Sequence, residues 1–345
     1  MYTANPKLVK QAKPVAHITY QEAMELSHFG AKVIYPPTIH PVLEKDIPIV
    51  IKNTFDPENN GTLITRELAG SQKAVTGISH IDDIAILSLE GSGMVGIPGF
   101  SKRLFETLFL ENINVILITQ ASSEHSICLA IEKSEASKAK AALDSVFEFE
   151  ISKHKLAPVK IENDIAIIAL VGDNMYKHQG LSGKMFSTLG KNNVNIRAIA
   201  QGASEKNISV VIEKKDVKKA LNILHEQFFE VKTKQLNLFI TGVGNVGSKL
   251  MEQLSQQKEY LKNKLRLKIR VVAISNSRTM IFDESGIKLS NWEEKLAQGE
   301  EANADAFFEK AKEMNLRNSI FVDNTANPNI ARVYKKYLAE SMAVV

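Results

Sequence analysis

The pattern of hydrophobic and polar positions along this chain repeats itself. The segment DIAILSLEGSGM begins at Asp83 and the segment DIAIIALVGDNM begins at Asp164, an offset of 81 residues. Positions 83–133 and 164–214, aligned without a gap at this offset, are identical at 22 of 51 positions. A match of this length predicts two copies of one structural unit.

Each copy has the same order of predicted elements. An aliphatic run such as IAILSLEG predicts a strand, and a glycine-containing loop leads from it to a helix. The helix has apolar residues at helical spacing, namely Leu104, Leu108 and Phe105 in the first copy and Met185, Leu189 and Phe186 in the second, which we expect on one face. Two more strands follow, VILITQA and SICLAI or IRAIAQG and ISVVI, and a second amphipathic helix closes each copy.

This order predicts a ferredoxin-like βαββαβ fold, with one sheet that carries its helices on one face. We expect the other face to be covered by pairing of two units or of two chains, since its apolar residues would otherwise form an exposed patch. A short strand, AVTGISHI or APVKIE, precedes each copy. Whether these strands are exchanged between the copies is left open by the sequence.

The loop and the next strand of each copy offer groups that suit a small zwitterion. Gly99 and Gly180 end the loops, which places free backbone N–H groups at a helix N-terminus, where a carboxylate is stabilised. Gln120 and Gln201 lie late in the next strand, and an amide side chain both donates and accepts hydrogen bonds. The alternative is that the glycines are plain helix caps and the glutamines are solvated.

A dinucleotide-binding pattern follows the second copy. LNLFITGVGNVGSKL predicts a strand, a glycine turn and a helix, with Gly242, Gly244 and Gly247 in G-x-G-x-x-G spacing. RLKIRVVAISNS and SIFVDNTA predict two further strands, and SMAVV predicts a fourth. No carboxylate lies between Ile269 and Ile281, where NAD would be recognised, and Arg278 suits a 2′-phosphate, so NADP is favoured. The alternative is that Arg278 is a solvated surface residue.

Composition excludes several other classes of protein. Charged residues make up 24% and the net charge is +4, without a long run of like charges, so we expect no nucleic-acid or membrane partner. No apolar stretch is long enough for a membrane span or a signal core, and we expect a cytoplasmic protein. The eight histidines are scattered, and the single cysteine, Cys128, lies in an apolar run, so we predict neither a catalytic constellation nor a metal site.

The motifs NVILITQASSEHSICLAI and NIRAIAQGASEKNISVVI resemble ACT domains, and the tandem resembles the regulatory region of aspartate kinases, above all the form fused to homoserine dehydrogenase. Threonine is the effector that this resemblance implies, with lysine sensing or general amino-acid binding as the alternative. The implied effector-site residues are Met94, Gly99, Asn114, Gln120, Met175, Gly180, Asn195 and Gln201. The first loop (MVGIP) departs from the second (MYKHQ), so the two sites need not bind equally.

The flanks extend the resemblance. Residues 1–70, with FGAKVIYPPTI, resemble the end of an aspartate kinase catalytic domain, and YTANPKLV resembles its nucleotide-binding segment with Asn5 and Lys7 in place of Asp and Arg. The resemblance then divides the chain into that kinase end at 1–70, ACT domains at 71–157 and 158–233, and the start of a homoserine dehydrogenase NADP-binding domain, a partial Rossmann fold, at 234–345. Its implied cofactor residues are Gly242, Gly244, Asn245, Val246, Gly247, Arg278 and Thr325.

The resemblance implies that the chain is an allosteric module of a bifunctional enzyme. The parent kinase would use ATP with Mg²⁺ and the parent dehydrogenase NADP. The kinase phosphate-transfer motif and the dehydrogenase substrate domain are absent from the sequence, so we expect a fragment without either activity. We also expect it to form a homo-oligomer, a dimer or tetramer, through the ACT region. A freestanding ACT-regulated NADP-dependent oxidoreductase is the rival interpretation.

Overall fold

The structure is a computed structural model, and it describes residues 1–31, 33–67, 74–94, 99–120, 126–202, 206–229 and 234–345. Two units emerge from the contacts within the chain. The first consists of Met1–Phe186 and Asn195–Leu221, and the second of Ser187–Val194 and Asn222–Val345.

The N-terminal segment of the first unit is a small α/β layer. Its elements are β1 (His17–Thr19), α1 (Tyr20–His28), α2 (Ile39–Glu44), β2 (Ile49–Ile51) and β3 (Thr62–Thr65), with sheet order β1-β3-β2. Helix α1 begins at Thr19 in a capping box, in which the Thr19 hydroxyl accepts from the Glu22 amide and the Glu22 carboxylate accepts from the Thr19 amide. The two prolines of the FGAKVIYPPTI motif, Pro36 and Pro37, form a 3-10 turn that leads into α2.

A six-stranded sheet forms the rest of the first unit. Its strands are β4 (Gly77–Glu90), β5 (Leu117–Gln120), β6 (Ser126–Glu132), β7 (Lys160–Val171), β8 (Ala198–Ala200) and β9 (Asn207–Glu213), in the order β5-β6-β4-β7-β9-β8. The helices of the two copies are α3 (Phe100–Leu110), α4 (Ala136–Val146), α5 (Glu148–Ser152), α6 (Leu181–Lys191) and α7 (Val217–Phe229). The two predicted copies therefore lie side by side and share one sheet through the antiparallel pair β4–β7.

The long strands β4 and β7 settle the question of strand exchange. Gly77–Ile81, which precedes the first copy, pairs with residues 167–171 of the second. Residues 160–162, which precede the second copy, pair with residues 86–88 of the first. Each four-stranded ferredoxin-like sheet is thus completed by the strand that the sequence pattern placed with the other copy, and the first copy is inserted into the second.

The crossing point of the two long strands has a local two-fold repeat. Asp83 and Asp164 take left-handed conformations, with φ of 58° and 57°, and the pairing shifts register between Ile81 and Ile84. Lys214 forms an ion pair with Asp83 at 2.5 Å and Lys133 one with Asp164 at 2.9 Å. These lysines lower the pKa of the two carboxyls through a hydrogen bond and charge. Because all four groups are exposed, the pairs fix geometry more than stability.

Both faces of the shared sheet are buried. On one face of the first copy, Ala85, Leu87 and Leu89 pack against α4 and against Leu104 and Leu108 of α3. The other face contributes Ile84 and Ile86 to a second cluster with Ile165, Ile167 and Val211 from the second copy. Leu26 of α1 and Phe29, which follows this helix directly, belong to the same cluster. Because the copies share one sheet, they pair edge to edge and not face to face, and Leu26 of helix α1 packs on the face that both copies contribute. Phe105 does not share the buried face, since it is 37% exposed.

The second unit contains a twisted mixed sheet. Its strands are β10 (Lys234–Thr241), β11 (Leu267–Ser275), β12 (Thr279–Phe282), β13 (Glu300–Glu301), β14 (Ser319–Asp323) and β15 (Ala343–Val344), in the order β13-β12-β11-β10-β14-β15. Its helices are α8 (Asn245–Gln256), α9 (Lys258–Asn263), α10 (Trp292–Ala297), α11 (Ala304–Met314) and α12 (Tyr334–Ala339). The parallel order β11-β10-β14-β15 places the switch point at β10, as in dinucleotide-binding folds.

Candidate functional sites

The loop glycines of the two ACT-like copies are required by the backbone. Gly99 and Gly180 have φ of 98° and 82°, a region that side chains disfavour, while a Cβ on either would meet nothing within 4 Å. Helix α3 begins directly after Gly99 without a side-chain cap, and α6 begins after Gly180. Among the described residues no side chain caps the first-turn N–H groups of α3, an arrangement that suits an anionic ligand.

The two glutamines lie at the ends of the outer strands, where the sequence placed them. Gln120 is the last residue of β5, and Gln201 follows β8 directly; both side chains are exposed. In the second copy, the Ser182 hydroxyl donates to the Gln201 amide oxygen at 2.9 Å. This bond brings the start of α6 and the end of β8 together. Because it holds the amide oxygen of Gln201, it also fixes the orientation of the Gln201 NH₂ group.

The remaining effector-site predictions fall on two kinds of position. Asn114 and Asn195 are exposed ahead of the outer strands. Met94 and Met175 are 4% and 2% exposed within short 3-10 turns, so their side chains belong to the core. The remainder of the first loop, 95–98, and the Ser-Glu turns at 123–124 and 204–205 lie outside the described residues.

A buried carboxylate that sequence reasoning missed holds the start of the second loop. Glu22 on α1 is 2% exposed, and its Oε1 accepts from the Asp173 amide at 3.1 Å and from the Thr76 hydroxyl at 2.5 Å. Asp173 in turn accepts from the Thr19 hydroxyl. The capping box was readable from Thr19 and Glu22 alone. Its link to Asp173 was not, because the two residues lie 151 positions apart.

The segment that resembles a kinase nucleotide-binding motif lines a cavity of about 940 Å³ in the first unit. Asn5 and Lys7 face it from the N-terminal segment, and His80 and Asp82 face it from β4. Burial lowers the pKa of His80, with Asp82 opposing that effect. The cavity is therefore lined both by this N-terminal segment and by residues at the crossing point of the two copies.

The glycine motif of the second unit is built as its spacing predicts. Gly242 has φ of 85°, and a Cβ there would lie 2.7–2.8 Å from Thr325 and Asn324. A Cβ on Gly247 would lie 1.9 Å from the Gly242 carbonyl oxygen, so this residue sets the close approach of helix and strand. Gly244 meets nothing within 4 Å, which leaves its backbone open to a pyrophosphate.

The other cofactor predictions surround this motif. Asn245 and Val246 are exposed in the first turn of α8. Arg278 is exposed in the turn after β11, whose geometry Asn276 fixes by accepting from the Arg278 and Thr279 amides at 2.7 Å. Thr325 Oγ1 and Asn324 Nδ2 are buried without a hydrogen-bond partner among the described residues. The open backbone at Gly244, the exposed guanidinium of Arg278 and these buried polar atoms together fit a dinucleotide.

Family comparisons assign three kinds of domain to the chain. Residues 87–147 and 168–228 each match the ACT domain, residues 1–53 match the amino acid kinase family, and residues 242–345 match the NAD-binding domain of homoserine dehydrogenase. Where the chain is described, no helix is long and apolar enough to cross a membrane.

Relatives align with the whole of this chain. It is 40% identical over 346 residues to the bifunctional aspartokinase/homoserine dehydrogenase of Haemophilus influenzae and 39% identical over 352 residues to a chloroplastic form from Arabidopsis thaliana. Each alignment covers 100% of this chain but only 42% and 38% of the relative, so the chain spans about two fifths of their length.

Solved structures match about two thirds of the chain. E. coli aspartokinase III with aspartate and ADP matches with a TM-score of 0.57 and 28% identity, and its complex with lysine and aspartate with a TM-score of 0.55 and 29% identity. Each match covers 66% of this chain and about half of the solved one, 50% and 49%.

Proposed function

This chain is related along its whole length to the bifunctional aspartokinase/homoserine dehydrogenases, and we propose that its ACT pair senses threonine as a feedback effector. The chain contains the end of an amino acid kinase domain, two ACT domains and a homoserine dehydrogenase NAD-binding domain. The observation that carries this proposal is the pairing of the Ser182 hydroxyl with the Gln201 amide beside the Gly180 helix start. Backbone donors there suit the carboxylate of an amino acid, and a side-chain amide suits its polar groups.

The activities controlled by this sensor follow from the relatives. A bifunctional aspartokinase/homoserine dehydrogenase joins a kinase and an oxidoreductase in one chain, and we propose that both respond to the ACT pair. Helix α1 of the kinase-like segment contacts the second ACT loop through Glu22 and Asp173, which supports a route from the effector site to the kinase. The kinase would use ATP with Mg²⁺ and the dehydrogenase NADP.

Lysine is the second candidate effector. A solved aspartokinase III of similar fold is in complex with lysine and aspartate. Calorimetric titration of the purified chain with threonine, and separately with lysine, discriminates between them. We expect saturable heat with threonine and weaker or no heat with lysine. Saturable binding of lysine alone would identify lysine, and not threonine, as the effector. The absence of binding heat from both amino acids would contradict amino-acid sensing.

NADP preference is expected to depend on Arg278. Arginine at this turn supplies the charge that a 2′-phosphate needs, whereas the 2′-hydroxyl of NAD needs an acceptor. Arg278→Ala is expected to weaken NADPH binding about ten- to hundredfold, the typical worth of a hydrogen bond to a charged group, and to leave NADH binding unchanged. Fluorescence titration with both cofactors measures this. Lys288→Ala is a matched control in the same unit, and equal losses for NADPH and NADH would contradict the assignment.

Self-association through the ACT region is also expected. Phe109 and Leu110, at the end of α3, are 77% and 70% exposed, and together they form an apolar surface that a second chain would cover. Sedimentation velocity at tens of micromolar should show a dimer or larger species, and Phe109→Asp should shift it toward monomer. A wild-type monomer at this concentration, with and without threonine, would contradict association.

A further inference from the structure

The end of β14 holds a side-chain arrangement that the glycine motif does not explain. Asp323, the last residue of the strand, is half-buried, and its two carboxylate oxygens have different partners. Oδ1 accepts from the Thr325 amide at 2.8 Å, and Oδ2 accepts from the Tyr334 hydroxyl at 2.6 Å. Both bonds fix the carboxylate, and through it the backbone that follows the strand.

That backbone lies against the glycine motif. The Asn324 amide donates to the Thr241 carbonyl at 2.8 Å, which carries the β10–β14 pairing one residue past β14. Thr325 lies so close to Gly242 that a Cβ on the glycine would reach its Cγ2 at 2.7 Å. The placement of Thr325 relative to the glycine turn therefore depends on the Asp323 carboxylate.

Tyr334 supports this carboxylate from the first turn of α12. Its ring packs edge-on against Phe321 of β14 at 6.1 Å between centroids, and its hydroxyl reaches Asp323. The hydrogen bond to Asp323, followed by burial, raises the pKa of Tyr334, so the phenol stays a donor at neutral pH. The ring fixes the position of the hydroxyl, and the hydroxyl fixes the carboxylate.

We infer that Asp323 and Tyr334 form a positioning pair for cofactor binding, which holds Thr325, with its orphaned Oγ1, in place beside the glycine turn. The inference rests on the proposed cofactor site. Neither residue is expected to touch the dinucleotide. Their role is to keep the Thr325 hydroxyl in place, so that binding does not have to order it.

Tyr334→Phe tests this pair, because it removes one hydroxyl and keeps the ring that packs on Phe321. NADPH affinity is expected to fall about three- to tenfold, since the lost hydrogen bond acts on Thr325 only through Asp323. Hydrogen exchange at the Thr325 amide should accelerate in the cofactor-free protein. Asp323→Asn, which keeps one carbonyl acceptor, should lie between wild type and Asp323→Ala in both measurements.

Tyr260→Phe is the matched control, because Tyr260 is exposed on α9 in the same unit. If Tyr334→Phe binds NADPH as tightly as Tyr260→Phe does, with unchanged exchange at Thr325, the positioning pair is wrong while the cofactor site stands. A fall in thermal stability without a change in NADPH affinity also overturns it, because that is the signature of packing alone. Failure of the wild-type chain to bind NADPH or NADH overturns the proposed cofactor site itself.

Discussion

Arg317→Ala is expected to destabilise the unit that contains the dinucleotide-binding domain by about 3–5 kcal/mol, the usual result when one partner of a buried ion pair is removed. The Arg317 side chain is 4% exposed and contacts Glu226 at 3.0 Å and the Asn222 carbonyl at 2.6 Å. Glu226 also accepts from the Asn318 side chain at 3.1 Å and the Gln235 amide at 3.2 Å. Without the arginine, a largely buried carboxylate loses the positive charge of Arg317.

Urea denaturation followed by tryptophan fluorescence measures this effect. Trp292 is the single tryptophan and packs against a core cluster of the same unit. Arg332→Ala is the matched control, because Arg332 is 64% exposed and pairs with Asp305 on the surface, where such pairs contribute about 0–1 kcal/mol. Equal losses of stability in the two variants would show that the Glu226–Arg317 pair contributes no more than a surface ion pair.

Glu22→Ala is expected to cost at least about 2 kcal/mol of stability in the first unit, since the Thr19 and Asp173 amides would each lose an acceptor worth about 1–3 kcal/mol when buried. The Thr76 hydroxyl loses the same acceptor. Thermal denaturation followed by circular dichroism measures the change. Gln21→Ala, an exposed position on the same helix, is the control and should unfold like wild type. A Glu22→Ala protein as stable as this control would contradict the role of the buried carboxylate.

Local patterns predicted the elements well because they depend on neighbours in the sequence. Gly99 and Gly180 have the positive φ that a loop-to-helix turn needs, and Gly242 and Gly247 make the close approaches expected of the motif. Phe105 shows where such reasoning was wrong. Successive helical residues point about 100° apart, so a residue next to buried Leu104 is turned toward solvent. Phe100 fills the core instead, stacked on Phe147 at 5.5 Å.

The exchange of strands was beyond the sequence for a different reason. Gly77–Ile81 reads as a strand in either arrangement, and its partner is chosen by backbone hydrogen bonds to residues 167–171. Glu22 with Asp173 and Glu226 with Arg317 are likewise pairs formed by the fold. Only their residue types, not their partners, are visible along the chain. The candidate effector site was predictable in its loop glycines and strand-end glutamines, whereas the Ser182–Gln201 bond depends on how α6 meets β8.

The most direct test of the ACT pair as an amino-acid sensor is calorimetric titration of threonine into Gln120→Ala and Gln201→Ala, with Gln253→Ala, an exposed glutamine of α8, as control. Each substitution removes a hydrogen bond to a charged ligand group, typically worth about 1.5–3 kcal/mol, so affinity at the altered site should fall about ten- to hundredfold. The other site should remain measurable, and the thermal stability of the free protein should stay that of wild type because both side chains are exposed. Threonine binding that is unchanged in both variants, or loss of the fold in either, would contradict the assignment of these glutamines to effector sites.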